Sequence, residues 1–143
     1  MGSYEDALDD IKKTMGFVPD FFKALPEDVL VNDWELMKKY EYGGSSIPPK
    51  YREMIGLAIA ANIKCPYCQL MHISMARAQG ATEEELSELA FLASYTSRWS
   101  AMIHAQNYDM DKFKEEVSRI GEFMGKQATK IAQPMRSTTP PLR

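Results

Sequence analysis

The sequence lacks a segment that could cross a membrane or direct secretion. Its longest uncharged, largely apolar run covers residues 54–63 and is too short to span a bilayer. The N-terminal segment from Met1 to Asp6 is acidic and has no apolar stretch, so we expect no secretory signal peptide there. Asp6 also occupies the position at which N-myristoylation requires Ser or Thr. These absences predict a cytoplasmic protein with no membrane partner.

An excess of positive charge is missing as well. The chain has 17 Lys and Arg against 20 Asp and Glu, which gives a net charge of −3, and its basic residues are scattered. A chain of this composition lacks the basic patch that attracts a phosphate backbone. We therefore expect no nucleic-acid partner.

Strand-like alternation and internal repeats are also absent, whereas apolar residues recur at helical spacing along most of the chain. Its 143 residues, 45% of them hydrophobic, suffice for one domain with a core. We predict an all-α fold, a compact multi-helix single domain over residues 1–132, with a Cys-x-x-Cys motif at the start of a central helix. Pro, Ser, Thr and Arg dominate residues 133–143, for which we expect a flexible tail.

Helix-start and helix-stop signals divide the chain into segments. Pro48 and Pro49 favour a helix start, Gly80 favours a helix end, and Thr82 with Glu85 forms a capping-box pattern. Because residues 54–63 carry no charge, we expect their helix to be buried on most sides. The predicted helices cover residues 4–14, 28–42, 49–63, 65–79, 82–93, 95–107 and 109–126, with a short helical turn at 19–25.

Cysteine is scarce, and the two cysteines, Cys65 and Cys68, are three residues apart. A structural disulfide stabilises a fold by closing a long loop of the unfolded chain. A bond between Cys65 and Cys68 would close almost no loop. In a reducing cytoplasm the spacing instead indicates redox chemistry or metal binding. If Cys65 is the N-cap and Pro66 the first helical residue, Cys68 lies in the first turn. Free backbone N–H groups and the helix dipole favour a thiolate at that place.

Two further residues are candidates for acid–base chemistry. His72 follows Cys68 by four residues, which places both on one helix face with Cβ atoms about 6 Å apart. Cys65 lies seven residues away from His72, about 10 Å along the axis. An antiparallel hairpin that turns near Lys64 would bring Glu53 within about one turn of His72. The spacing therefore predicts a relay in which Glu53 orients His72 and His72 activates Cys68.

Other interpretations of these residues are open. His72 and His104 are the only histidines, and with the two cysteines they could form a Cys2His2 zinc site. Three of those ligands would come from about one and a half helical turns, unlike the loop-borne ligands of structural zinc sites. We therefore expect no metal and no bound cofactor. The cysteines could also be small core residues, Glu53 an exposed first-turn acid, and His104 a core or surface histidine.

The motif resembles that of the alkyl hydroperoxidase D-like proteins of the carboxymuconolactone decarboxylase superfamily. The shared pattern is Glu, eleven residues, Cys, two residues, Cys, three residues, His, and it is met without a gap by Glu53, Cys65, Cys68 and His72. Residues 17–25, 49–53 and 80–86 are similar too, and the resemblance covers residues 15–95. One departure is Tyr67, which stands where the best-studied type of member carries a further His.

The resemblance implies an all-α fold, homo-oligomers that are often trimers or hexamers, and hydroperoxide reduction through a Cys-x-x-Cys disulfide. In its terms Cys68 is the peroxidatic thiol, Cys65 is the resolving thiol, and Glu53 with His72 forms the proton relay. An external dithiol, either a thioredoxin-like protein or a lipoyl group, would reduce the disulfide. Because a Tyr hydroxyl is a poor base near neutral pH, Tyr67 predicts a modest peroxidase rate.

The sequence therefore predicts a thiol-dependent peroxidase. One alternative is a disulfide reductase or redox relay that does not turn over peroxide, and another is a metal-binding or redox-sensing oligomer. The uncharged helix at 54–63 and the many Met and aromatic residues also favour a homo-oligomer, because they offer more apolar surface than a small monomer readily hides.

Overall fold

A computed structural model describes residues 2–132 and the side chains of residues 2–128. Within residues 2–132 the chain forms seven α-helices and one π-helix, and no strand. The all-α prediction is thus confirmed. The elements in chain order are α1 (Tyr4–Met15), α2 (Asp20–Lys23), α3 (Glu27–Met37), the π-helix (Lys38–Tyr42), α4 (Pro49–Ile63), α5 (Pro66–Ala78), α6 (Glu83–Ala105) and α7 (Met110–Ala132).

Two compact units divide the chain, one up to Ser97 and one from Arg98 onward, and the boundary falls within α6. The prediction of a single domain over residues 1–132 stays a prediction, and the expected flexible tail at 133–143 lies outside the described residues. Among residues 2–132, no helix combines the length and the apolar character that crossing a membrane requires.

The first core of the N-terminal unit forms where α1 packs against α3. Ile11, Leu30 and Trp34 are almost completely buried there, together with Ala7 and Phe22. The indole Nε1 of Trp34 donates to Asp10 at 2.9 Å, so the polar atom of this buried ring has a partner. The carboxylate of Asp10 also accepts from Lys38 at 2.6 Å, which links α1 to the π-helix.

The second core lies beside a helical hairpin made of α4 and α5, and it comprises Leu57, Ala76, Ala81, Leu86 and Leu89. The hairpin turns at Lys64, which caps α4 in the left-handed conformation with φ 59°. The N–H groups of Lys64 and Cys65 both point to the carbonyl of Ala60. This tight turn places the first residues of α5 directly beside the last turns of α4.

Caps predicted from the sequence are present at the ends of these helices. Pro49 begins α4, and Gly80 follows α5 with φ 86°. The Thr82 hydroxyl accepts the N–H of Glu85 at 3.1 Å, while the Glu85 carboxylate accepts the N–H of Thr82 at 2.9 Å. This reciprocal pair is the expected capping box. Glu85 also accepts from Lys50 at 2.6 Å, which ties the start of α6 to the start of α4.

Three expectations about the helices need correction. Residues 82–107 do not form two helices: α6 runs without a break from Glu83 to Ala105, and the hydroxyls of Ser94 and Thr96 bond to carbonyls of the preceding turn. Residues 38–42 form a π-helix rather than the end of α3. The helix over 54–63 is buried on one face only, and its other face, which carries Ile55, Ile59 and Ile63, is exposed in the described chain.

Candidate redox site

The Cys-x-x-Cys motif begins α5, as the sequence predicts. Cys65 is the N-cap in extended conformation, and Pro66 is the first helical residue. The Sγ of Cys65 accepts the backbone N–H of Cys68 at 3.3 Å, and the two Sγ atoms lie 2.6 Å apart. Both cysteines are free thiols and their sulfurs are in direct contact, which is the arrangement that a disulfide between them requires.

The two thiols differ in acidity. A hydrogen bond from the Cys68 thiol, reinforced by the Cys68 backbone N–H, lowers the pKa of Cys65 below that of an ordinary cysteine. The hydrogen bond to Cys65 raises the pKa of Cys68, and burial and the negative charge of Cys65 act in the same direction. This is opposite to the expectation that a place in the first turn favours a thiolate at Cys68. Within this first turn, the backbone N–H of Cys68 donates to the Sγ of the N-cap residue Cys65.

His72 and Glu53 meet across the hairpin. Nδ1 of His72 lies 2.8 Å from Oε2 of Glu53, although the two residues are 19 positions apart. Glu53 is 8% exposed and lies on the inner face of α4 with Leu57 and Ala60, so the expectation of an exposed first-turn acid does not hold. Since a carboxylate only accepts, Nδ1 carries the proton and neutral His72 has its free lone pair on Nε2.

A cavity of about 430 Å³ adjoins these residues within the N-terminal unit. Cys68, His72 and Glu53 line it, whereas Cys65 does not. Pockets that hold small organic ligands have volumes of about 300–1,000 Å³. Much of the wall is apolar and comes from Ile47, Ile55, Ile59, Ile63, Gly56 and Ala60, and the polar part comes from Tyr40, Glu41, Ser45 and Arg52. The exposed isoleucine face of α4 thus forms one side of this cavity.

The π-helix and Arg52 also line the cavity. The sequence did not predict either contribution. Nη1 of Arg52 donates to the carbonyl of Tyr40 at 2.6 Å, while its buried Nε has no hydrogen-bond partner among the described residues. A π-helix frequently occurs at functional sites, because its wider turn redirects side chains and carbonyls. The Lys38–Tyr42 segment has no Gly or Pro, so its sequence carries no signal of this turn.

Tyr67 and His104 are the two remaining candidates, and each has its own surroundings. The ring of Tyr67 is 85% exposed. Nδ1 of His104 lies 2.8 Å from the carbonyl of Ser100 one turn earlier in α6. Over the part of the chain that the structure describes, no three His, Cys, Asp or Glu side chains are grouped so as to hold a metal ion.

Comparisons with known proteins place the chain in a family. The sequence model of the Carboxymuconolactone decarboxylase family matches residues 30–108, which include the π-helix, the hairpin and the whole of α6. The crystal structure of the alkylhydroperoxidase AhpD core from Rhodospirillum rubrum superposes with a TM-score of 0.67 at 29% identity, over 76% of this chain and 83% of that one.

A curated relative is less informative about activity. "Uncharacterized protein 4 in cox locus" of Paracoccus denitrificans is 28% identical over 69 residues, which are 48% of this chain and 62% of the relative. The chain therefore spans less than two thirds of that relative's length. The family match covers more than half of the chain and the structural match covers most of it. The chain belongs to the carboxymuconolactone decarboxylase family and has the alkyl hydroperoxidase D-like fold.

Proposed function

We propose that the protein is a thiol-dependent peroxidase that reduces organic hydroperoxides through a Cys65–Cys68 dithiol/disulfide cycle. The observation that carries the proposal is that His72, hydrogen-bonded to Glu53, lines one cavity with Cys68. The second cysteine is close at hand, because the Sγ of Cys65 lies 2.6 Å from the Sγ of Cys68. The similarity to the Rhodospirillum rubrum alkylhydroperoxidase core supports the same activity.

In the first step His72 takes the thiol proton of Cys68 at Nε2, and Glu53 stabilises the resulting imidazolium. The Cys68 thiolate attacks the terminal peroxide oxygen, and the O–O bond breaks. The departing alkoxide receives the proton held by His72 and leaves as an alcohol. Cys68 becomes a sulfenic acid and is thereby oxidised by two electrons.

In the second step the sulfur of Cys65 attacks the sulfenic acid of Cys68. A disulfide forms, and the sulfenic hydroxyl takes up the proton that the Cys65 thiol has lost and leaves as water. The Cys68 backbone N–H donates to the Sγ of Cys65 and does not depend on the Cys68 thiol, so it supports the thiolate that the resolving sulfur needs. An external dithiol, from a thioredoxin-like protein or a lipoyl group, then reduces the disulfide by exchange.

The cavity favours organic hydroperoxides over hydrogen peroxide. Four isoleucines line a space of about 430 Å³, which far exceeds the volume of hydrogen peroxide. Burial of an alkyl group against such a wall contributes about 0.8 kcal/mol per CH₂. The organic part of the substrate would thus bind beside α4 while its peroxide group meets Cys68.

One experiment tests the reaction itself. The reduced protein receives one equivalent of cumene hydroperoxide, and the remaining thiols and the organic product are quantified. We expect both thiols to disappear with one equivalent of cumyl alcohol. Protein that retains two thiols and unchanged hydroperoxide would refute the peroxidase proposal.

A second candidate function is disulfide exchange without peroxide turnover. The observation that favours it is the lowered pKa of Cys65 at the N-cap of α5, a place where other Cys-x-x-Cys proteins carry their attacking thiol. In that reaction Cys65 would attack a substrate disulfide and Cys68 would resolve the mixed disulfide. Reduction of a model disulfide by protein that leaves hydroperoxides intact would select this function.

We also propose a homo-oligomer, a trimer or hexamer, that works in the cytoplasm. Large apolar side chains such as Ile63, Leu70, Phe91 and Leu92 are 60% or more exposed, more than a small monomer usually shows. Sedimentation analysis should give a mass that is a multiple of 16.3 kDa. A single species at the monomer mass at micromolar concentration would contradict it.

A further inference from the structure

We infer that Gly56 is a positioning residue for His72: the lack of a side chain at position 56 sets the plane of the imidazole. Gly56 lies on α4, and the ring of His72 packs directly onto it from α5. The consequence for catalysis rests on the proposed function, whereas the consequence for ring geometry does not.

A side chain at position 56 would collide with the imidazole. A Cβ built on Gly56 would lie 2.5 Å from Cε1, 2.6 Å from Nε2 and 2.7 Å from Nδ1 of His72. Real Cβ atoms essentially never approach other atoms within 3.0 Å. Because the three distances are nearly equal, the ring presents its face, rather than an edge or a flexible end, to the backbone of α4.

The backbone conformation gives no reason for glycine at this position. Gly16 and Gly80 have positive φ angles of 85° and 86°, which favour glycine, whereas Gly56 lies within a regular helix. Glycine in a helix interior is less stable than alanine. The close approach of the imidazole is therefore the feature at position 56 that requires a missing Cβ.

The packing determines where both ring nitrogens lie. With its face against α4, the ring can rotate little about its Cα–Cβ and Cβ–Cγ bonds, because α4 blocks one side. Nδ1 is thereby held 2.8 Å from Glu53. An added methyl group would push the ring away by at least several tenths of an ångström. A hydrogen bond of this length reaches the limit of about 3.2 Å after such a shift.

The test substitutes Gly56→Ala, with Gly121→Ala as the matched control. Gly121 lies inside α7, and a Cβ built on it has no atom within 4 Å. The readouts are the downfield NMR signal of the His72 Nδ1–H, the rate of Cys68 oxidation by cumene hydroperoxide, and thermal stability. We expect Gly56→Ala to lose the Nδ1–H signal, as Glu53→Ala should because it removes the acceptor, and to slow oxidation about 10²-fold. Gly121→Ala should change neither the Nδ1–H signal nor the oxidation rate.

A double-mutant cycle with His72→Ala separates the contact from a general effect on folding. Without the imidazole, a methyl group at position 56 has room, so Gly56→Ala should raise the melting temperature through helix propensity. In the wild-type background the same substitution should lower it. The oxidation rate of His72→Ala should not fall further when Gly56→Ala is added.

The outcomes are distinguishable from those for the peroxidase proposal. If the wild-type protein does not consume hydroperoxide, that proposal fails, but the NMR signal and the stability cycle still test Gly56. An Nδ1–H signal that survives Gly56→Ala, or an equal change of melting temperature in both backgrounds, would overturn the inference. If Gly56→Ala alone does not fold, the double variant decides: folding supports the contact, and failure to fold refutes it.

Discussion

The Sγ of Cys65 lies 2.6 Å from the Sγ of Cys68 and accepts the Cys68 backbone N–H at 3.3 Å. One hydrogen-bonded turn therefore holds both sulfurs and gives them opposite shifts in pKa. The cysteine with the lowered pKa is outside the cavity, and the cysteine with the raised pKa lines the cavity with His72. Cys65 thus has the lower pKa, whereas Cys68 is the thiol that a molecule in the cavity would meet.

The first prediction is a reversible disulfide within one chain. Mild oxidation should convert both thiols to a disulfide, because their sulfurs already lie within 2.6 Å. Intact mass spectrometry should show the loss of two hydrogen atoms and no change in chain mass otherwise. Dithiothreitol should restore both thiols. A product that consists of cross-linked chains would contradict this prediction.

The second prediction concerns the order of reaction. We expect peroxide to attack Cys68, since Cys68 and His72 line the same cavity. Cys65→Ser should therefore form a sulfenic acid on Cys68 that dimedone traps, but it should not turn over. Cys68→Ser should be inert to peroxide. Dimedone on Cys65 in Cys68→Ser, with none on Cys68 in Cys65→Ser, would reverse the assignment.

The third prediction is that the acidity of each thiol depends on the other. Cys68→Ala removes the thiol that donates to Cys65, so the pKa of Cys65 should rise toward that of an ordinary cysteine. Cys65→Ala removes a hydrogen-bond acceptor and a negative charge, so the pKa of Cys68 should fall. Thiolate absorbance as a function of pH measures both. In wild-type protein, alkylation of Cys65 should begin at a lower pH than that of a free thiol and decrease as pH falls through its lowered pKa.

The fourth prediction concerns the Glu53–His72 pair. His72→Ala should slow the oxidation of Cys68 by about 10²–10⁴-fold, the usual effect of losing an acid–base group. Glu53→Gln keeps an oxygen near Nδ1 but removes the charge, so we expect a smaller loss. Stopped-flow measurement of thiol oxidation gives both rates. His104→Ala is the control, because His104 contacts its own helix and should leave the rate unchanged.

The fifth prediction tests the first core. Trp34 is 1% exposed, so Trp34→Ala should lower the free energy of unfolding by about 3–5 kcal/mol. Trp34→Phe fills much of the space but leaves Asp10 without the indole N–H, and its loss should be smaller. Urea denaturation measures both effects, and Phe17→Ala at an exposed position should have little effect. Equal losses from Trp34→Ala and Phe17→Ala would contradict the assigned core.

The sequence predicted the hairpin well because its signals are local. Pro49 begins α4, Pro66 begins α5, and helical spacing alone places Glu53 on a face with Ala60. The contact between Glu53 and His72 follows from two helices of known length joined by a short turn. These features depend on residues within one short stretch of the sequence, so the sequence alone predicts them.

Other features depend on side-chain geometry that no sequence pattern indicates. Arg52 and Tyr40 interact across the loop between the π-helix and α4, and no local pattern indicates such a bond. The opposite pKa shifts of the two cysteines come mainly from the hydrogen bond between their thiols, and side-chain geometry decides which thiol donates. The absence of charge in residues 54–63 predicted burial on most sides, but the isoleucine face lines a cavity instead.

The α4–α5 hairpin has a consequence for how the protein acquires its reactive centre during synthesis. Glu53, Gly56, Cys65, Cys68 and His72 all lie in one continuous stretch of chain, and closing a short loop costs little entropy. Helical hairpins with such local contacts form quickly. We expect the dithiol and its base to come together once residues 49–78 have left the ribosome, before α7 is made. A nascent chain would then already be sensitive to oxidants, and a disulfide formed at that moment would join the same two sulfurs as in the finished protein.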